Sequence, residues 1–364
     1  MKIISFEARE FRNHTRSFIE FSDGVNVITG KNGAGKTNLL EGIFLFASGK
    51  SFRGQKDRDL ISFGSECAVL KLVFEDKFST HTLEACLYKN KKRRLLREGL
   101  EIKKLSEYLG LFRAVVFTPD HLRIIKSSPE NRRRFLDMAI CQAFPRFVAS
   151  LSEYNRLLIQ KNNLLKTTLT PLSSPMLDVY NEKLAHLSSI ITCNRFNYVE
   201  RLREKAGEYL SDLTGGGEKM EISYVTQCGR DFTREKLREN CINLFAKKRQ
   251  DEILRKATLC GCHHDDFEVF INGKNAKLYA SQGQQRSAVI SLKLAEGALA
   301  KQYTGEDGVF LFDDVLSELD GDRRRYITEK LKGRQFLITG CGAENAGERT
   351  FAVEGGKINV SSSG

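Results

Sequence analysis

No run of about eighteen consecutive apolar residues occurs in the 364-residue chain, which excludes a hydrophobic helix spanning a membrane. Met1 to Glu7 lack the apolar core and small-residue cleavage site of a secretory signal and read instead as a strand entering a sheet. The expectation is a cytoplasmic protein. The nine cysteines form no framework. A chain of this size can bury its own core without staples, so scattered thiols in a reducing compartment are the reading. One cluster, Cys260-Gly261-Cys262-His263-His264, holds metal-binding residue types. Adjacent ligands are hard to arrange around one tetrahedral ion, and no second cysteine pair stands at finger spacing, so no metal is assigned there. There is no internal repeat. Nor is there a basic stretch interleaved with aromatics of the kind that stacks single-stranded bases.

What is present begins with an ordinary globular composition, 41% hydrophobic and 29% charged. The formal net charge is +12 and the pI is near 9.2. Excess positive charge attracts polyanions, and on charge alone nucleic acid, an acidic protein or an anionic membrane surface all fit.

Along the chain, residues 1–126 read as strands with one strong helix. Phe18 to Phe21 and Val25 to Thr29 are strand-like around the Ser22-Asp23-Gly24 turn. Lys36 to Ser48 reads as an apolar helix, and Ala68 to Glu75 and Thr82 to Tyr88 as sheet strands. Residues 127–262 change character. Ser128-Pro129-Glu130 is a helix start, Pro145 breaks or kinks the helical run, and a second helix extends to about Lys166. A linker spans Thr167 to Ser174. Beyond it Leu177, Tyr180, Leu184, Leu187 and Ile191 recur at helical spacing, a stripe continued by Tyr198, Leu202, Tyr209 and Leu213 until Gly215-Gly216-Gly217. These features predict an antiparallel helical hairpin, with a further helix from about Thr233 to Ala257. Residues 263–364 return to α/β. Phe267 to Ile271 and Lys277 to Ala280 flank the hairpin signal Asn272-Gly273, and Val309 to Phe312 and Gln335 to Thr339 read as buried parallel strands.

Three motifs carry chemistry. Gly30-Lys31-Asn32-Gly33-Ala34-Gly35-Lys36-Thr37 is a complete P-loop, placed between a strand and a helix as the motif requires. Its amides and the helix dipole suit the phosphates of ATP, with Lys36 at the β- and γ-phosphates and the Thr37 hydroxyl on Mg²⁺. Val309-Phe310-Leu311-Phe312-Asp313-Asp314 has the Walker B pattern, with Asp313 expected on Mg²⁺ and Asp314 where a general base or water-positioning carboxylate is needed. Ser281-Gln282-Gly283-Gln284-Gln285-Arg286, ahead of a helical run from Ser287 to Leu299, resembles the ABC signature. Ser281, Gly283 and Gln284 would face a γ-phosphate. Taken alone, this last segment is also a glutamine-rich turn capped by Ser281. Val315 to Asp320 resembles the D-loop that comes after Walker B.

Further segments narrow the match. Phe11-Arg12-Asn13-His14, Asn32 to Glu41 with Asn38 among them, Ser51-Phe52-Arg53, Ser128-Pro129 with Arg132 to Asp137, His264-Asp265-Asp266, Leu292 to Glu296 and Asp313 to Asp320 resemble, in order, the RecF family of ABC/SMC-type ATPases. The resemblance covers nearly the whole chain. It implies an α/β ABC-type P-loop ATPase head with a helical insertion, a short arm in place of the long coiled coil of SMC and Rad50 proteins. It implies Arg12 and Asn13 near the nucleotide, and ATP-dependent homodimerisation in which one subunit's signature completes the other's site. It also implies binding to single- and double-stranded DNA and work with RecR and RecO to load RecA at gaps. Departures stand at His264, where arginine is expected, and at Cys262, where proline is expected. A transporter-type glutamine loop is missing, and Leu337-Ile338-Thr339-Gly340 holds no switch histidine. Asp314 is one methylene shorter than the usual transporter glutamate, which predicts slow hydrolysis.

Candidate phosphate contacts for DNA are Lys89, Lys91, Lys92, Arg93 and Arg94; Arg132, Arg133 and Arg134; and Lys247, Lys248 and Arg249. Three successive residues on a helix point in different directions, so at least one of Arg132 to Arg134 is expected to serve structure. The competing functions are a transporter ATPase subunit, opposed by the missing switch histidine, the insertion and the basic charge, and an ATP-gated scaffold that recruits proteins without touching DNA. An SMC or Rad50 head is opposed by the short arm.

Overall fold

A computed structural model describes residues 1–167, 175–316, 319–340 and 349–361. Most of the linker expected at 167–174, and residues 317 and 318 of the D-loop segment, lie outside the described residues. By internal contacts the chain forms two compact units, Met1–Leu122 with Val289–Gly364, and Arg123–Ala288.

In chain order the first segment holds β1 (Lys2–Phe11), β2 (His14–Glu20), β3 (Val25–Thr29), α1 (Lys36–Ser48), β4 (Cys67–Glu75), β5 (Thr80–Tyr88), β6 (Arg94–Arg97), β7 (Leu100–Ile102), α2 (Leu105–Tyr108) and β8 (Ala114–Phe117). The inserted segment holds α3 (Arg123–Lys126), α4 (Pro129–Ala143), α5 (Pro145–Lys166), α6 (Pro175–Leu213), β9 (Met220–Val225), α7 (Arg234–Arg255), β10 (Asp266–Ile271), β11 (Lys274–Asn275) and α8 (Ala276–Tyr279). Then come α9 (Gln282–Thr304), β12 (Val309–Asp313), α10 (Gly321–Lys330), β13 (Phe336–Gly340), β14 (Arg349–Glu354) and β15 (Lys357–Ser361).

The first unit contains two sheets. One is antiparallel in the order β2-β1-β4-β5-β6-β7. The other, β15-β14-β3-β13-β12-β8, pairs β14, β3, β13, β12 and β8 in parallel. Its central strands are buried along their length, as continuous apolar runs such as Val309 to Phe312 require. Helix α1 touches β1 and β4 of one sheet and β8, β12 and β13 of the other. That double cover explains why it is apolar nearly all round and buries Leu39, Leu40, Ile43, Phe44, Leu45 and Phe46. At Gly42 a Cβ would meet the Phe6 ring at 2.8 Å, so the helix lies close on the antiparallel sheet.

The second unit is helical with a small sheet, β11-β10-β9. Pro145 separates α4 from α5 as its chemistry demands. Helix α6 runs for 39 residues and buries Leu177, Leu184, Ile191, Tyr198 and Leu202. The ion pairs Asp178–Arg249 and Glu182–Arg238 set α6 and α7 antiparallel. Helix α5 runs antiparallel to α6 as well: Tyr154 meets Ser188, while Lys161, further along α5, pairs with Glu252 near the Asp178 end.

Several expectations change. Lys277 to Ala280 is not a strand: after the Asn272-Gly273 turn, β11 lasts two residues, and Asn275 caps the helical turn α8 by accepting from the Lys277 amide. Helix α9 starts at Gln282, ahead of the expected Ser287. The sequence divides the chain at 262/263, whereas residues 263–288 fall in the compact unit Arg123–Ala288, since β10 pairs along its length with β9.

Candidate nucleotide site

Strand β3 ends at Thr29, and the chain turns through Gly30 to Gly35 into α1. Gly30 has φ 146°, and a Cβ there would lie 2.4 Å from the Val353 carbonyl of β14, so only hydrogen fits. The other side of the loop is held by the β1–β2 turn and the β14–β15 turn. Asn13 Nδ2 donates to Ala34 O at 2.8 Å, Asn38 Nδ2 donates to Asn13 Oδ1 at 2.8 Å, and the Gly356 amide donates to Ala34 O at 3.0 Å. The buried His14 ring bridges the two turns, with Nε2 3.1 Å from Gly35 O and Nδ1 2.8 Å from Gly356 O. Of these, the sequence points to Asn13 and Asn38. His14 is visible there only as part of the Phe11–His14 segment, and Gly356 carries no local signal beyond a Gly-Gly turn.

Within the loop, the buried Lys36 ammonium donates to Gly30 O at 2.7 Å and to Lys31 O at 3.3 Å. It therefore sits inside the loop whose amides the P-loop reading assigns to phosphate. Gly33, Ala34 and Gly35 continue the loop, and Asn32 precedes them. Thr37 Oγ1 donates to Asp313 Oδ1 at 2.7 Å, joining the first turn of α1 to the end of β12. Burial raises the Asp313 pKa, and the Thr37 and Thr339 hydroxyls work against that rise. A hydroxyl and a carboxylate converging at a helix N-terminus form the oxygen-only donor set that a hard cation prefers, so the residues fit Mg²⁺. Asp314 comes next with φ 54°, left-handed backbone that residues other than glycine seldom adopt.

Arg12, expected near a nucleotide, is engaged by α1. Its guanidinium clasps Glu41 of α1 in a bidentate pair at 2.9 and 3.0 Å and donates to Asp59 O at 3.0 Å. Ser51 also bonds the fully buried Glu41, and Arg53 donates to Asn38 Oδ1 at 2.9 Å. The Ser51-Phe52-Arg53 segment thus wraps the flank of α1 around one carboxylate.

In the other compact unit, Ser281 and Gln284 form a reciprocal capping box. The Ser281 amide donates to Gln284 Oε1 at 2.9 Å, and the Gln284 amide donates to Ser281 Oγ at 3.2 Å. Gly283 lies in the first turn, and Gln285 Nε2 donates to Ala280 O at 2.9 Å, anchoring the turn to α8. The capped-turn reading and the signature reading therefore describe the same residues, since the cap leaves Ser281 exposed at a helix N-terminus.

The basic clusters divide. Arg132 is buried and makes a bidentate pair with Asp266 at 2.6 and 2.8 Å, and Arg133 donates to Asp265 O at 2.8 Å. Burial lowers the pKa of Arg134, which lies beside Glu130. Of the three arginines, at least one of which is expected to serve structure, Arg132 serves the interior. His264-Asp265-Asp266 is the acidic side of the same arrangement. Asp265 accepts from Thr192 at 2.6 Å and Tyr224 at 2.8 Å, and Arg195 pairs with Asp137 at 2.8 Å. Arg93 bonds Asp57 and Gly49 O, Arg94 pairs with Glu101, Lys89 with Glu66, Lys248 with Asp251 and Arg249 with Asp178. Lys91, lying over the Tyr88 ring, Lys92 and Lys247 are exposed.

A family model described as the RecF/RecN/SMC N terminal domain matches residues 2–350. The DNA replication and repair protein RecF of Clostridium acetobutylicum is 37% identical over 354 residues, covering 96% of both chains. That of Lachnoclostridium phytofermentans is 37% identical over 347 residues, covering 94% of both. A solved structure of the recombination mediator protein RecF with ATPrS in the RecFOR pathway has a TM-score of 0.93 at 34% identity, covering 98% of this chain and 97% of that one. Another with ATP has a TM-score of 0.90 at 34% identity, covering 99% of each. An Smc head bound to the C-winged helix domain of ScpA shares the fold, with a TM-score of 0.56 at 15% identity over 99% of this chain and 97% of that one.

Proposed function

Because the chain belongs to the RecF family of the RecF/RecN/SMC ATPases, we propose that it is an ATP-dependent DNA-binding protein of replication and recombinational repair. It binds single- and double-stranded DNA, dimerises on ATP, hydrolyses ATP slowly under DNA stimulation, and works in the cytoplasm with RecR and RecO to load RecA at gaps. Residues 1–126 and 263–364 supply the motifs of the head and 127–262 the helical arm, against which residues 263–288 pack. The observation that carries this reading is the convergence of Thr37 and Asp313, 2.7 Å apart, beside a complete P-loop whose lysine already lies among the loop carbonyls.

ATP with Mg²⁺ supplies the phosphoryl group that water attacks. The amides of Lys31 to Asn38 and the Lys36 ammonium orient the phosphates, Thr37 and Asp313 hold the cation, and Asp314 positions the water. Arg12 acts through Glu41, and Asn13 braces the loop. Ser281, Gly283 and Gln284 complete the site of a second copy.

The test is fluorescence anisotropy of a gapped DNA at fixed salt, with and without Mg-ATP, beside the Lys36→Met variant. Tighter binding with ATP, absent in the variant, is the expected result. No binding in either state, with ATP binding intact, points to the scaffold reading, which the many internally paired arginines would then favour.

A further inference from the structure

We infer that Thr339 is a positioning residue of the hydrolytic site, holding the Asp313 carboxylate and the Asp314 backbone in place. This role presupposes the ATPase reading proposed above. Thr339 lies on β13 directly opposite Asp313 in the parallel register of β12 and β13, and it is 1% exposed. Its hydroxyl makes three contacts: the Asp314 amide donates to Oγ1 at 3.0 Å, Asp313 Oδ1 lies at 3.0 Å, and Phe312 O lies at 3.4 Å.

A hydroxyl has one hydrogen to give and lone pairs to accept with. The Asp314 amide must donate, so it takes a lone pair. The hydroxyl hydrogen then goes to the nearer and charged acceptor, Asp313 Oδ1, in a charge-assisted bond. Asp313 Oδ1 thus receives hydrogens from Thr37 and Thr339, which fixes the carboxylate plane and leaves Oδ2 to the cation site. The amide bond has a second consequence. Asp314 sits at φ 54°, and such a conformation persists only where surrounding structure over-determines it. The Thr339 oxygen is a partner on the neighbouring strand that ties down this amide, and so sets how the chain leaves β12 at the residue assigned to water. A branched hydroxyl residue also suits the site because Cβ branching restricts χ1 on a strand. The segment Leu337 to Gly340 holds no switch histidine, and β13 instead contributes a hydroxyl aimed at the Asp313-Asp314 pair.

The experiment compares Thr339→Val, nearly isosteric without the hydroxyl, with Thr339→Ser, which restores it. Steady-state hydrolysis gives kcat and KM for ATP, electron paramagnetic resonance of free Mn²⁺ gives cation affinity in the presence of ADP, and thermal melting reports folding. Thr339→Val is expected to lose about 10- to 100-fold in kcat or in Mn²⁺ affinity, as supporting partners of metal ligands do. KM for ATP should move little, and Thr339→Ser should stay within about threefold of wild type on the same scale. Thr339→Ala carries the same expectation if the valine variant does not fold. Wild-type kcat and Mn²⁺ affinity in a folded Thr339→Val or Thr339→Ala chain would overturn the role. So would a serine variant as impaired as the valine one, since packing alone would then be the cause. If the wild-type chain binds nucleotide but hydrolyses none, the ATPase reading fails, and Mn²⁺ affinity across the variants still decides on Thr339.

Discussion

Gly356 has room for hydrogen alone: its φ is 79°, and a Cβ would stand 2.0 Å from the Asn13 carbonyl oxygen. Its amide holds Ala34 O, so the turn far along the chain is part of the P-loop's support. A Gly356→Ala chain must move either this turn or the Asn13-His14 turn, and both brace the loop. The expected outcome is a folded protein with a lowered melting temperature and about tenfold or greater loss of affinity for a fluorescent ATP analogue, as a displacement of about 1 Å at a positioning group produces. An unchanged affinity would show the loop to be self-supporting. At this scale the glycines of the P-loop were legible, because their spacing encodes a local phosphate cradle. Gly356 was not, because its constraint comes from a turn more than three hundred residues away in sequence.

Among the elements, α6 shows how a helical stripe carries more than apolar packing. Its buried side includes Asn181, Ser188, Thr192 and Arg195 between the expected leucines, and the last three serve the segment Cys260 to Asp266. His263 belongs to the same region. Its Nδ1 lies 2.6 Å from the Tyr154 hydroxyl, and burial, with His264 and nearby cations, pushes its pKa down from 6.5 to about 3. Above pH 6.5 the ring is neutral in both folded and unfolded chains and contributes no pH dependence. As pH falls from 6.5 the unfolded chain takes up the proton first, so stability is lost progressively, and the loss is complete only below about pH 3. Thermal melts between pH 7 and pH 4 should therefore show a shallower acid-side decline in His263→Gln than in wild type. An identical slope in both would place the titration elsewhere. The Cys260–His264 cluster is thus a packed corner whose histidine works while neutral.

Over the whole molecule, the net charge of +12 shrinks as a guide to DNA once each cation's neighbours are considered. Arg132 is taken up by Asp266 inside its compact unit, and several other candidate cations have acidic neighbours. Lys91, over the Tyr88 ring, and Lys92 remain exposed. DNA affinity measured from low to moderate salt should fall linearly on logarithmic axes. Replacing Lys91 and Lys92 by glutamine should reduce that slope by about one to two, at roughly 0.9 for each phosphate no longer neutralised. Arg132→Gln should leave the slope unchanged and destabilise the fold by about 3 kcal/mol, the scale for breaking a buried pair. A slope altered by Arg132→Gln but untouched by the lysine changes would reverse this assignment.

By itself the sequence determined the features whose physics is local. A strand, glycine turn and lysine placed the P-loop; the bounds of α1 at Lys36 and Ser48 came from an apolar run between glycines; proline set the break between α4 and α5. The acidic end of β12 marked Asp313 for the same reason. Only the tertiary structure decided what depends on distant neighbours. Three adjacent arginines look alike in sequence, and the one facing Asp266 is chosen by how α4 lies on β10. Lys277 to Ala280 could be a strand or a helical turn, and Asn275 settled it by capping. Arg12 was drawn to Glu41, and Thr339 to the Asp313-Asp314 pair, because strand order and register set which polar groups meet. A buried polar group must find a partner, and that partner is supplied by the fold.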